Sequence, residues 1–117
     1  MDDNRARALL TVERERLTGV RQAALHLLEE SASGRQAALP HVDQSLADSA
    51  SELGERERQQ SVARRVEGEL AEIDAALERL AAGSYGICER CGNPVGDDRL
   101  EALPAARLCI TDQARAG

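Results

Sequence analysis

The residues with the most chemical content lie in ICERCGNPVGDDRLEALPAARLCITDQ, within the last third of the 117-residue chain. Cys88-x-x-Cys91 is followed, after seventeen intervening residues, by Cys109-x-x-Asp112. A C-x-x-C turn presents two sulfurs to one side of a tetrahedron, and two such turns at this separation are a strong zinc signature. Three positions carry the expected thiol and the fourth carries a carboxylate. A carboxylate oxygen binds zinc at about 2.0–2.2 Å, so Asp112 can complete the set. It is a harder ligand than thiolate, which predicts a weaker and more acid-labile site. Four protein ligands leave no open coordination position, so the role is structural and not catalytic. The same spacing admits a metal-free reading, in which Asp112 lies at the surface and Leu100, Leu103, Leu108 and Ile110 pack the segment together. Spacing alone leaves both open.

The composition narrows the setting. The single aromatic is Tyr85, and Ala, Glu, Leu and Arg dominate. Aromatics supply much of a compact core, so this bias points to long helices or a coiled coil. All 15 basic residues are Arg, and the net charge of −6 disfavours a partner held through phosphates. The three cysteines are too few and too clustered for a disulfide framework. Nothing approaches the roughly 20 apolar residues of a membrane span, and MDDNRARALL lacks the layout of a signal peptide. The expected location is cytoplasmic.

Periodicity supplies the elements that must position the cysteines. From about residue 3 to about 33, Leu10, Leu17 and Ala24 fall on one heptad position and Val20 and Leu27 on the other, with Leu9 and Leu28 beside them. Gly34 and Pro40 then mark a loop over about 34–45, which holds His41. A second helix is expected over about 46–82, where Val66, Leu70, Ile73, Leu77 and Leu80 form a heptad seam. Leu46 and Leu53 fall outside that frame, and the pattern is thinnest around Gly54. A short loop between two long amphipathic helices makes an antiparallel hairpin. The expected fold is therefore all-α dominated. An antiparallel coiled-coil hairpin occupies 1–82, with a small zinc-finger-like unit over 83–117 at its base.

The stretch SYGICERCGNPVGDDRLEALPAARLCITD resembles the zinc-finger segment of the DksA/TraR family. It shares the G-x-C-x-x-C-G start and the RLEA-x-P-x-A-x-x-C run. The likeness is close from Gly83 to Asp112 and looser over the preceding helices. It implies a bacterial regulator that binds RNA polymerase, with a coiled coil entering the secondary channel and acidic residues at its tip. The family's tip motif is D-x-x-D-x-A, and the matching junction here reads SLADSA. The register is supported by the Ala50-to-Cys88 separation, which equals the family's. Asp48 would be the functional acid and Ala50 its neighbour, and Ser45 replaces the other acid. Ser45-x-x-Asp48 is also close to a helix capping box, with Asp48 favoured by the helix dipole. Members that respond to guanosine tetraphosphate carry basic residues where this chain has Leu103 and Gln113, so two charge-assisted phosphate contacts are missing. A helix that often follows the finger is expected to be vestigial or missing.

Together these observations predict a non-enzymatic transcription regulator that binds RNA polymerase, probing its secondary channel as a monomer. Direct sequence-specific nucleic-acid binding is not expected, because the finger has few Arg and no helix patterned for a groove. Nothing pairs a nucleophile with a base. Heptad patterning equally suits a coiled-coil adaptor with a structural zinc clip and no polymerase role.

Overall fold

The computed structural model describes the backbone over residues 1–37 and 46–116, and side chains over 1–30 and 51–116. Two long helices dominate: α1 is Asp3–Ala37 and α2 is Leu46–Ala82. Two short ones follow, α3 at Asp97–Ala102 and α4 at Ile110–Ala116.

Local chemistry accounts for the helix ends. The Asp2 carboxylate accepts the Asn4 N–H at 3.0 Å, capping α1, and Asp3 in its first turn suits the dipole. The helix continues through Gly34 to Ala37, beyond the expected end near 33. One interior glycine costs only about 1 kcal/mol, and the Arg-Gln-Ala that follows consists of good helix formers. For the same reason α2 passes through Gly54 unbroken. It stops at Gly83, whose φ of 79° ends the helix in a left-handed turn. There the Ser84 N–H reaches the Arg79 carbonyl at 2.9 Å and the Gly83 N–H reaches Leu80 at 3.3 Å, the pairing of a Schellman motif.

The described residues divide into two compact units, one made of Met1–Arg16 with Glu69–Gly117 and the other of Leu17–Gly68. In the first, Ala6 and Leu10 from α1 and Ile73, Ala76 and Leu80 from α2 are buried. The Arg14 guanidinium donates to Asp74 at 2.9 Å, and the carboxylate of Glu69 acts on Arg16, so the helices run antiparallel here. The seam on α2 departs from the heptad pattern. Ala76 is fully buried while Leu70 and Leu77 are half-buried, because a straight helix drifts from a strict seven-residue repeat. In the second unit Leu17, Ala24, Ala63 and Val66 are buried and Arg21 pairs with Glu67 at 3.1 Å. Leu27 and Leu53 are exposed there, at 45% and 51%. Leu53 thus follows its place outside the seam, whereas Leu27 departs from its expected buried position.

Leu10 is the largest fully buried side chain of the first unit's helix pair. Leu10→Ala is expected to destabilise the protein by about 3 kcal/mol, while Leu53→Ala stays within about 0.5 kcal/mol. Urea unfolding followed by circular dichroism checks the contrast, and equal losses would contradict the burial pattern.

Candidate metal centre

After α2 the chain folds back on itself in a small turn. The Val95 N–H donates to the Gly86 carbonyl and the Cys88 N–H to Asn93, both at 2.8 Å, around an isolated antiparallel bridge between Ile87 and Pro94. At the apex the Gly92 N–H returns to the Cys88 carbonyl at 2.9 Å, with a Gly92 φ of 76° that an L side chain rarely adopts. This places Cys88 and Cys91 on one side of a tight knuckle. Helix α3 then delivers Leu100 into a core with Cys88 and Val95, and Tyr85, Ala106, Leu108 and Cys109 pack around it. The Tyr85 hydroxyl donates to the Pro104 carbonyl at 2.8 Å. Cys109 immediately precedes α4, and Asp112 lies in the first turn of that helix. The stretch after the finger is thus a short helix.

These elements bring the four expected residues together. The ligand atoms of Cys88, Cys91, Cys109 and Asp112 all lie within 4.8 Å of one another. Two thiolates on a tetrahedral zinc ion are roughly 3.8 Å apart, and a thiolate and a carboxylate oxygen roughly 3.5 Å. The Cys91 and Cys109 sulfurs are 3.8 Å apart, and Asp112 Oδ2 is 3.1 Å from Cys88 Sγ and 3.4 Å from Cys109 Sγ. Asp112 is only 6% exposed, so its carboxylate is committed to the cluster and not to solvent. The donor set suits zinc in type, number and spacing.

Without a cation, four potential anions at this separation cannot all be charged. The Asp112 carboxyl is held below its usual range by thiols donating to it, Cys88 first and then Cys91 and Cys109. The Asn93 N–H favours the Cys91 thiolate, but the Asp112 carboxylate and the two other thiols outweigh it, and Cys91 is pushed up to about 12. Burial opposes ionisation of Cys88, yet the backbone N–H groups of Cys109, Cys91 and Arg90 bring it below the ordinary thiol value. A divalent cation reverses this logic, because a coordinated thiol loses its proton outright.

The apolar alternative fares worse. Leu100 is buried and Leu108 half-buried, but Leu103 is 53% exposed and Ile110 73%. Two of the four side chains expected to pack without metal therefore face solvent, and Cys88, Val95 and Leu100 are the buried residues of the finger's apolar cluster.

The other positions singled out from sequence stand elsewhere. Ser45 lies outside the described residues, as does His41. Asp48 and Ala50 belong to the first turns of α2, and their side chains lie outside the described set. His26 is exposed and faces Glu30 at 3.1 Å on α1. The sequence reading missed the polar residues that hold the finger on α2. Arg107, two residues before Cys109, donates to Glu72 of α2 at 2.5 Å and to Glu89 of the knuckle at 3.2 Å. Arg79 of α2 reaches the Ala105 carbonyl at 3.4 Å and lies 3.9 Å from Glu89. On the α1 side Arg5 grips Glu101 of α3 through two nitrogens, at 2.5 and 2.8 Å. None of these pairs has a spacing that periodicity could flag.

A helical pair carrying a small three-thiol, one-carboxylate finger defines the class of protein. Residues 83–116 match the prokaryotic dksA/traR C4-type zinc finger. Over 107 residues the chain is 37% identical to a protein of Caulobacter vibrioides named RNA polymerase-binding transcription factor DksA, covering 92% of this chain and 69% of that one. General stress protein 16O of Bacillus subtilis is 36% identical over 73 residues, 62% of this chain and 45% of its own. Among solved structures, transcription factor DksA2 from Pseudomonas aeruginosa superposes with a TM-score of 0.80 at 32% identity, covering 97% of this chain and 81% of that one. The chain belongs to the DksA/TraR family.

Zinc uptake by the metal-free protein is expected to release protons from its thiols, Cys91 among them, so affinity falls as the pH is lowered. Calorimetry in buffers of different ionisation enthalpy measures that release, and a proton-neutral uptake would contradict the thiol assignment. Replacing Asp112 by Ala is expected to weaken zinc by more than about 100-fold, the upper range for losing even a supporting partner of a ligand. Competition with a chromophoric chelator reads that loss.

Proposed function

We propose that this protein is a non-enzymatic transcription regulator that binds RNA polymerase and inserts the junction carrying Ser45, Asp48 and Ala50 into the secondary channel. The observation that carries the reading is the 37% identity over 92% of the chain to a protein named as an RNA polymerase-binding transcription factor. The match extends well beyond the finger, so the helices are included in it. A net charge of −6 suits a protein partner better than direct binding to nucleic acid.

In this reading regulation needs no reaction by the protein. Asp48, near the start of α2, carries negative charge toward the polymerase's catalytic elements. A difference in affinity for two promoter-complex states is sufficient to shift their populations. Ala50 follows that acid two positions on in the sequence, and Ser45 stands where the family resemblance implies a second acid. Cys88, Cys91, Cys109 and Asp112 hold zinc, whose contribution is to cross-link the knuckle to α4. The protein acts as a cytoplasmic monomer. No helix among the described residues is long and apolar enough to cross a membrane.

Purified protein is expected to bind RNA polymerase core in competition with a Gre-type secondary-channel factor. Asp48→Asn is expected to abolish the effect on transcription in vitro while leaving polymerase affinity within about threefold. Equal loss of both would refute a tip that acts separately from binding. Concentration-dependent sedimentation with no competition for polymerase would bring the self-pairing adaptor forward instead.

A further inference from the structure

Gly19 in α1 and Gly54 and Gly68 in α2 lie inside helices, are exposed, and have no packing reason to lack a side chain. A Cβ at any of them would meet nothing within 4 Å, and none has a positive φ. Alanine would therefore fit each place, although glycine favours local opening of a helix by about fivefold relative to alanine. Gly19 and Gly68 differ from Gly54 in their surroundings. Both flank one cross-helix ion pair, in which Arg21 donates to Glu67 at 3.1 Å. Gly19 stands two residues before that arginine and Gly68 directly after that glutamate, so the two glycines lie at about the same level of the antiparallel helices. Thr18 and Val20 enclose Gly19, and both are β-branched, so three weak helix formers in a row lie level with Gly68. The boundary between the two compact units falls at the same place, crossing α1 between Arg16 and Leu17 and α2 between Gly68 and Glu69.

We propose that Gly19 and Gly68 form a paired hinge, a level at which α1 and α2 open together so that the unit Leu17–Gly68 bends against the unit that carries the finger. A hinge needs residues that absorb a backbone change at low cost. In a two-helix element it also needs both helices to yield at one level, because a single intact helix would brace its neighbour. Gly54 meets the first condition alone, whereas Gly19 and Gly68 meet both. Each unit keeps its own buried side chains, Leu10, Ile73, Ala76 and Leu80 in one and Leu17, Ala24, Ala63 and Val66 in the other. Bending at the glycines leaves those two sets in place. The device lets a long helical pair adapt to a partner while the contacts of the finger stay intact, and it is independent of both the zinc and the polymerase readings.

Amide hydrogen exchange of the full-length protein reads the opening directly. Amides just after Gly19 and just after Gly68 are expected to exchange faster than those around Leu10 and Ile73, once corrected for intrinsic rates. Gly19→Ala is expected to raise protection about fivefold at its own level of α1 and by the same factor around Gly68 on α2, because joint opening shares one free energy. Gly68→Ala should act reciprocally on α1, and Gly54→Ala should leave both segments unchanged. Protection gained only on the substituted helix would overturn the proposal, since it would mean two independent soft spots, and so would wild-type segments that exchange no faster than their neighbours. Bending is checked by distance distributions between nitroxides on unnatural keto side chains at Glu57 and Asp98, both exposed, which leave the cysteines untouched. The distribution is expected to be broad in the wild-type protein and in Gly54→Ala and narrower in the Gly19→Ala, Gly68→Ala double variant. Equal widths in all three would overturn the hinge.

Discussion

Convergence of four ligand atoms within 4.8 Å is the constraint on which the finger depends. The buried members of its apolar cluster are Cys88, Val95 and Leu100, and one of those is itself a ligand. Burying a Val or Leu side chain contributes about 1.5–3 kcal/mol, whereas ordering each residue of a loop costs about 1–2 kcal/mol. A segment of this size with so little apolar content needs a cross-link, and zinc supplies one between the knuckle and α4. Turn geometry shapes the site: Gly92 closes the knuckle, and the first turn of α4 aims Asp112 back at Cys88 and Cys109.

The long helices meet along a sparse seam. Alanine occupies Ala6, Ala24, Ala63 and Ala76 among the buried positions, so little apolar volume is gathered per turn. Charged pairs such as Arg14–Asp74 and Arg21–Glu67 cross between the helices, but both partners in each are largely exposed. Exposed pairs contribute about 0–1 kcal/mol, so their value lies in fixing register more than in stability. The Arg107, Glu72, Glu89 and Arg79 group is better shielded at Arg79, which is 12% exposed, and it joins the knuckle to α2 through several contacts at once.

Exchange of a thiolate for Asp112 changes the character of the centre without dismantling it. The carboxylate carries the same charge as the sulfur it replaces and fits the same tetrahedral edges, yet it is the harder partner. A structural site can tolerate this, because four protein ligands leave no open coordination position and the metal's contribution is to tie chain segments together. Leu103 is exposed and shares a surface depression with Asp97, Asp98 and Arg99.

Much of this was legible along the chain. Heptad spacing placed both long helices and most of their buried faces, because a 3.6-residue period is a local property that sequence displays directly. The C-x-x-C and C-x-x-D spacings nominated all four ligands for the same reason, since each pair is set by one turn. Whether those two turns face each other was not local, and only the fold brought Asp112 to within 3.1 Å of Cys88, twenty-four residues away. The fold also separated leucines that look alike in sequence, burying Leu100 while leaving Leu103 exposed three positions later. Arg107 on Glu72 and Arg5 on Glu101 belong to the same category, being 35 and 96 residues apart. Contacts of that range have no period to announce them. They exist because helix ends, a knuckle and a shared ligand set fix where distant segments meet.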